Sequence, residues 1–266
     1  MSEISSLAVV SKSARIAEGV EIGPFAIIED EVEIAANVKI WPQAYICSGT
    51  SIGEDTQVHM GAVIGNLPQD LGFDKNKKTY TRIGKNTVIR EYATIHRATE
   101  EGSATVVGDN CYLMAVSHAG HDCHIGNNVI VANGALLAGH VSVGDYAFIS
   151  GNVVVHQFCR IGTAAMIGGF TGINKDVPPY MLVRGPSVVR GINLVGLRRL
   201  KFPRELIGEI KEAYKLIFMS NLNTAQAVDG IKKLKSSKEI DHLIDFIQTS
   251  KRGICKHKYS NDEYYE

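Results

Sequence analysis

The sequence is short of aromatic side chains, which make up 7% of its 266 residues with a single tryptophan, and it has only seven prolines. It has no excess charge of either sign, with 28 Lys+Arg against 28 Asp+Glu, so no global field draws it to nucleic acid or to a membrane surface. Its five cysteines (Cys47, Cys111, Cys123, Cys159, Cys255) are odd in number, scattered and without a C-x-x-C pair. That argues against a disulfide framework or a Cys-rich zinc site. No run approaches the roughly 18 apolar residues that span a bilayer. The opening MSEISSLAVV has neither a basic n-region nor a long apolar h-region, so a secretory signal is not expected and the cytoplasm is the default.

What the chain has instead is glycine, 26 residues of it, and a six-residue period. Aliphatic residues recur at Ile4, Val10, Ile16, Ile22, Ile28, Ile34, Ile40, Ile46, Ile52, Val58 and Ile64, restart at Ile83, Ile89 and Ile95, and run from Val107 to Ile173. A step of six is a multiple of the strand period of two and fits the 3.6-residue helix poorly. Short strands with tight corners therefore explain it. Three of them close an 18-residue triangular coil, and coils stack roughly 4.8 Å apart. The fold expected is mainly β: a parallel β-helix of hexapeptide repeats over 1–190, left-handed as in the families that use this repeat, and a small helical domain over 191–266. Two polar stretches, 66–82 and 97–104, break the period and are expected to loop out. Prolines in DVPPYMLVRGPSVVRG are expected to end regular structure, and helices are expected around Leu206–Ile217, from a Thr224 cap through Ile231 and Leu234, and around Leu243–Ile247. The final KHKYSNDEYYE reads as a frayed tail. The helical part carries 14 Lys+Arg against 10 Asp+Glu, so it is basic and the body acidic.

Six of nine histidines lie between 96 and 156. Stacking by 18 puts His140 on Asp122 and His156 two coils above Gly120, beside His121. If the 97–104 excursion adds six residues, His96 joins that column, with His118 around the corner. Such a cluster suits two chemistries. A neutral imidazole, oriented by Asp122, takes a proton from a hydroxyl. Alternatively, three histidines hold zinc with an open position. His121 and His156, roughly 10 Å apart along the axis, are too far apart to bind one ion within a chain. Cys123 reads as a small buried corner residue. The glycines, spaced by six, belong to corners and not to a phosphate loop. The run Arg198, Arg199, Lys201, Arg204 suits phosphate or an acidic partner.

The segments HAGHDC (118–123), LAGHVSVGDYA (137–147), VHQF (155–158), DVPPY (176–180) and EIKEAYKLIF (209–218) resemble the UDP-N-acetylglucosamine 3-O-acyltransferases, along nearly the whole chain. The resemblance implies a homotrimer with active sites between subunits, which transfers a (3-hydroxy)acyl chain from acyl carrier protein to the 3-position of a UDP-amino sugar in lipid A synthesis. It implies no cofactor and no metal. Residue by residue, it implies His121 as general base, Asp122 as its partner and the Gly139 N–H as oxyanion donor. Asp70, His96, His118, His140, His156, Gln157 and Arg199 match substrate-contacting positions, and Gly169 matches the end of the acyl groove. The sequence departs from the family pattern at Gly72 and Leu200, where basic residues are common. Three other readings fit the repeat: a related N-acyltransferase, a zinc hydratase of the γ-carbonic anhydrase kind, and a non-catalytic scaffold. Neither acyl chain length nor a 3-hydroxyl against a 3-amino acceptor is legible.

Overall fold

The structure, a computed structural model, describes residues 2–233 and 237–257. Strands of mostly two residues run from Glu3–Ile4 to Val189–Ile192 and form three sheets of 11, 9 and 8 strands. Away from the two excursions and the last coil, each strand pairs in parallel with the one 18 residues on, as Glu3 with Glu21 and Ile130 with Phe148; across the excursions the offset grows to 31 or 24 residues. The result is the left-handed parallel β-helix, a three-walled prism, that the six-residue period implies. We call the walls first, second and third after the strands Glu3–Ile4, Val9–Val10 and Arg15–Ile16.

The periodic aliphatics point inward, and burying each contributes about 2 kcal/mol. Ile28, Ile46, Ile64, Ile89 and their successors are fully buried, whereas Ile4, in the first coil with nothing stacked beneath it, is exposed. Up to Ile173, a second inward position lies two residues before each anchor and takes shorter side chains, none longer than valine, such as Ala44, Ala62, Cys111, Cys123, Val129 and Ala135. Cys123 is therefore the buried corner residue expected, and burial pushes its thiol up to about 12. The corners also divide the work of glycine. Gly53 and Gly108, directly after their anchors, are needed for close approach: a Cβ there would stand 2.7 Å from backbone of the next coil. The left-handed turn falls two residues after the glycine, where Asp55, Asn86, Asn110 and Asn128 have φ between 51° and 57°. Asn and Asp tolerate that region best among non-glycine residues.

Both excursions leave the same edge, between the second and third walls. They are tighter than expected, covering 67–79 and 97–103, because the strands Val63–Asn66, Tyr80–Ile83 and Ala104–Val107 lengthen at their base and pair there. The DVPPYMLV segment departs from expectation more. Val177 pairs with Ile161 and Val183 with Ile167, so the period continues after slipping from six residues to four between Ile173 and Val177. Pro178 and Pro179 sit at a corner, as Pro24 and Pro42 do, and the strand Met181–Val183 then pairs antiparallel with Val189–Ile192.

Four helices follow: α1 (Leu194–Arg199), α2 (Arg204–Phe218), α3 (Thr224–Ile231) and α4 (Lys238–Gln248). Pro203 precedes α2, and α3 is capped by Asn223 in a capping box with Gln226, one residue before the Thr224 expected. Leu234 and the tail 258–266 lie outside the described residues. Arg160 fastens α4 to the prism: its guanidinium bonds buried Asp176 at 2.9 Å and the Phe246 carbonyl at 2.7 Å, and stacks 4.2 Å over the Phe246 ring. Among the described residues no helix is long and apolar enough to cross a membrane.

Candidate active site

The histidines gather on the edge that carries the excursions. Thr94 pairs with His118, so His96 falls opposite Gly120, 24 residues on, as an excursion worth six extra residues requires. The next coil repeats at Leu136–Leu137 and the one after at Val154–Val155, which stacks His140 above Asp122 and His156 in the column of Gly120.

Two contacting groups result. In one, the His96 and His118 rings meet edge to face at 4.9 Å, and the Thr94 hydroxyl lies 2.7 Å from His118 Nδ1. Burial, with the neighbouring His118 and His121, pushes His96 down to about 4, and its Nδ1 is buried without a partner. Burial and then His121 also push His118 down, so both rings are neutral at pH 7. In the other group, His121 Nδ1 lies 2.9 Å from Asp122 Oδ2, and the His140 ring stands edge-on to that of His121 at 5.1 Å. Burial alone would raise the Asp122 carboxyl, but hydrogen bonds from His121 and Thr99 and the charge of His140 outweigh it and hold the carboxyl below its usual range. An ionised carboxylate only accepts, so Nδ1 of His121 carries a proton, and in the neutral ring Nε2 is the atom with the lone pair.

That Nε2 lies against Gly139, where a Cβ would come within 2.5 Å of it. Gly139 is the second residue after its anchor Leu137. At the same corner position on the third–first edge, the N–H groups of Lys85, Asp109 and Asn127 donate to Asp109, Asn127 and Asp145 side chains of the next coil. The Gly139 N–H makes no such bond, since Gln157 one coil on turns its side chain to solvent. A free backbone donor thus sits beside a free imidazole lone pair.

The comparisons with known proteins agree along the chain. A family model described as "Udp N-acetylglucosamine O-acyltransferase; Domain 2" matches residues 176–255, and the bacterial transferase hexapeptide model matches 13–48, 31–66 and 104–139. The acyl-[acyl-carrier-protein]–UDP-N-acetylglucosamine O-acyltransferase of Thermodesulfovibrio yellowstonii is 46% identical over 96% of this chain and 100% of its own. The chain belongs to that O-acyltransferase family. Solved UDP-N-acetylglucosamine acyltransferases superpose accordingly. That of Francisella novicida does so with a TM-score of 0.92 at 41% identity (95% of this chain, 94% of its own). That of Bacteroides fragilis has a TM-score of 0.91 at 44% identity (94% and 99%).

Not every residue matched to the O-acyltransferases meets the others within one chain. His156 is exposed, its Nδ1 3.1 Å from the Gln157 carbonyl, and Gln157 is exposed beside it. Asp70 stands on the 67–79 excursion, where, among the described residues, its carboxylate accepts only the nearby Gly72 N–H, at 2.9 Å. Arg199 is exposed at the end of α1, and Gly169 lies on a different edge, between the first and second walls. Two neighbours escaped the sequence reading. Phe158 stacks on His140 at 4.5 Å, and stacking by 18 from His140 names it. Thr99 contacts Asp122 and lies on an aperiodic excursion with no register to reveal it. The ligand atoms of His121, Asp122 and His140 lie within 4.8 Å of one another, close enough to gather about one cation. His156, too far from His121 to share an ion, is no part of that set. Both carboxylate oxygens of Asp122, however, already accept from Thr99, and Oδ2 from His121 too, which suits acid–base work.

Proposed function

We propose that the protein transfers an acyl chain from the thioester of acyl carrier protein to the 3-position of UDP-N-acetylglucosamine, or of a 3-amino analogue, at the start of lipid A synthesis. The observation that carries this reading is the His121–Asp122 bond, which leaves Nε2 as a proton acceptor next to the unbonded Gly139 N–H. The sugar hydroxyl attacks the thioester carbonyl carbon as His121 Nε2 takes its proton. The Gly139 N–H donates to the oxyanion of the tetrahedral intermediate. The intermediate collapses with loss of the C–S bond, and the imidazolium returns its proton to the carrier thiolate. Asp122 fixes the tautomer and stabilises the imidazolium. No cofactor and no metal enters this scheme.

His96, His118, His140, His156 and Gln157 line the acceptor side of the groove in this reading, and Arg199 meets the nucleotide phosphates. Asp70, which makes no hydrogen bond to the histidines among the described residues, and Gly169, on another edge, join them across a homotrimer interface, with Gly169 at the end of the acyl groove. Exposed apolar side chains along one edge support that assembly: Phe25, Tyr92, Val116 and Phe170 take the same corner position in four of the coils between the first and second walls, Phe170 with 83% of its surface bare. The division into a catalytic prism (1–190) and a basic helical part (191–266) that meets the acidic carrier follows from the charge asymmetry. Nucleotide sugar and carrier thioester are cytoplasmic reagents, which assigns the enzyme to that compartment. The test is a reconstituted transfer assay with defined acyl carriers and both acceptors. Acylated nucleotide sugar, formed after chelation as before, supports the reading. Loss on chelation with recovery on zinc would move the site to the cation set of His121, Asp122 and His140.

A further inference from the structure

We infer that Thr99 is a positioning residue for the His121–Asp122 pair, and that the 97–103 excursion exists in part to present it. This rests on the reading of His121 as the base. Thr99 is buried, its hydroxyl donates to Asp122 Oδ2 at 2.7 Å, and its N–H lies 3.2 Å from both carboxylate oxygens. From below, the Asp122 N–H donates to Thr105 Oγ1 at 2.8 Å, so backbone and carboxylate are held separately. Asp122 sits in the left-handed region (φ 58°), which fixes where its short side chain departs the corner. Without Thr99 the carboxylate would be free to turn about χ2, a broad, nearly two-fold torsion. His121 Nδ1 would then lose the acceptor that dictates its tautomer.

The excursion is built to hold Thr99 still. On its N-terminal side Arg97 Nε donates to the Gly65 carbonyl at 2.9 Å. Beyond Thr99, Glu100 pairs with Lys77 at 2.9 Å, and Glu101 accepts the Lys78 N–H at 2.8 Å. Gly102 N–H closes on the Lys78 carbonyl at 2.8 Å. Lys77 and Lys78 belong to the 67–79 excursion, the one that carries Asp70. The two excursions are thus one body, and Thr99 is its contact with the catalytic carboxylate.

Thr99→Val keeps shape and removes the donor. It is expected to lower kcat roughly tenfold or more with KM for the nucleotide sugar little changed, and Thr99→Ser is expected to restore most of the loss. A packing role would not produce the second readout. In ¹⁵N-histidine spectra neutral His121 is expected to hold its proton on Nδ1 in the parent, and Thr99→Val is expected to shift it toward Nε2. If Thr99→Val fails to fold, Thr99→Ala is read in the same two ways. Parent-like kcat with an unchanged tautomer overturns the inference, as does a Thr99→Ser variant as impaired as Thr99→Val. His121→Ala separates the two failures: if it retains turnover, the base assignment itself is wrong, whereas an inactive His121→Ala beside a normal Thr99→Val removes only Thr99.

Discussion

Two edges of the same prism use one corner geometry for opposite ends. Along the third–first edge, polar side chains reach back along the axis and close on the preceding coil: Lys85, Asp109 and Asn127 each have their corner N–H satisfied by an Asp or Asn one coil on. Along the second–third edge, the polar groups turn sideways onto one another and onto the excursions. His121, Asp122 and Thr99 bond laterally, and the equivalent N–H at Gly139 and the Nδ1 of buried His96 are left with nothing. Satisfied corners stabilise; unsatisfied ones next to an oriented imidazole are available to a reaction. A buried polar group without a partner costs about 1–3 kcal/mol, so an edge that keeps such groups free has a use for them.

The largest effect should come from removing the imidazole. His121→Ala is expected to leave the coil intact by circular dichroism and to lower turnover by about 10²–10⁴-fold, the usual contribution of a positioned general base. Near-normal transfer by a folded His121→Ala would end the contrast between the edges. Gly139→Ala comes next. The added methyl would enter the space of the His121 ring, 2.5 Å from Nε2, so the ring must move from its place beside the free N–H. Turnover should fall roughly 100-fold, the scale of a disturbed oxyanion donor, while the melting temperature moves little. Unaltered kinetics would show that the ring and the N–H do not work together.

The histidine edge was readable from the sequence because register is arithmetic. Once the period is six and the coil eighteen, His121, His140 and Phe158 fall at one edge, and a six-residue excess brings in His96. The period could not reveal what departs from it. Thr99 sits on an excursion with no repeat, so its contact with Asp122 exists only in three dimensions. The slip from six to four before Val177 hid another coil behind prolines that read as a terminus, although Pro24 and Pro42, two residues after their anchors on another edge, already showed that a corner accepts proline. The ladder of Asp109, Asn127 and Asp145 was in plain view at a spacing of eighteen, but its residue types are ordinary for turns. Asp70, Arg199 and Gly169 lie apart from the histidines within one chain, so no register within the chain unites them.

The histidine edge also carries a cost in acid. His96 is held at about 4 when folded, chiefly by burial and then by His118 and His121, against an ordinary histidine value near 6.5. Between those values the unfolded chain binds the proton and the folded chain does not, so stability rises with pH from about 4 to 6.5 and is lost as pH falls through that window. His118, also pushed down, adds in the same direction; Asp122, held low, adds a further loss at more acid pH. Denaturant midpoints across that window should show the decline. His96→Gln should remove a part of it on the order of 2 kcal/mol. An identical pH dependence in parent and variant would mean that His96 titrates as it would in water.

The smallest effect is expected on the other edge, and it sharpens the contrast most. Asn127 accepts the Asp109 N–H at 2.8 Å while its own N–H donates to Asp145 at 2.8 Å. Asn127→Ala deletes the first bond and leaves the second, which is made by backbone. The side chain is exposed, so water replaces part of what is lost, and the cost should be about 0.5–1 kcal/mol, read as a lower denaturant midpoint at unchanged slope. Asn127 lies one corner from His121 in the same coil, and any general loosening of that coil would reach the active site. Turnover within about twofold of the parent is expected, because the ladder bonds run along the axis at a different corner and touch none of His121, Asp122, Thr99 or Gly139. A tenfold loss of turnover at this small stability cost would show that the two edges are coupled through the coil, and that the histidine edge is held in place by more than its own lateral contacts.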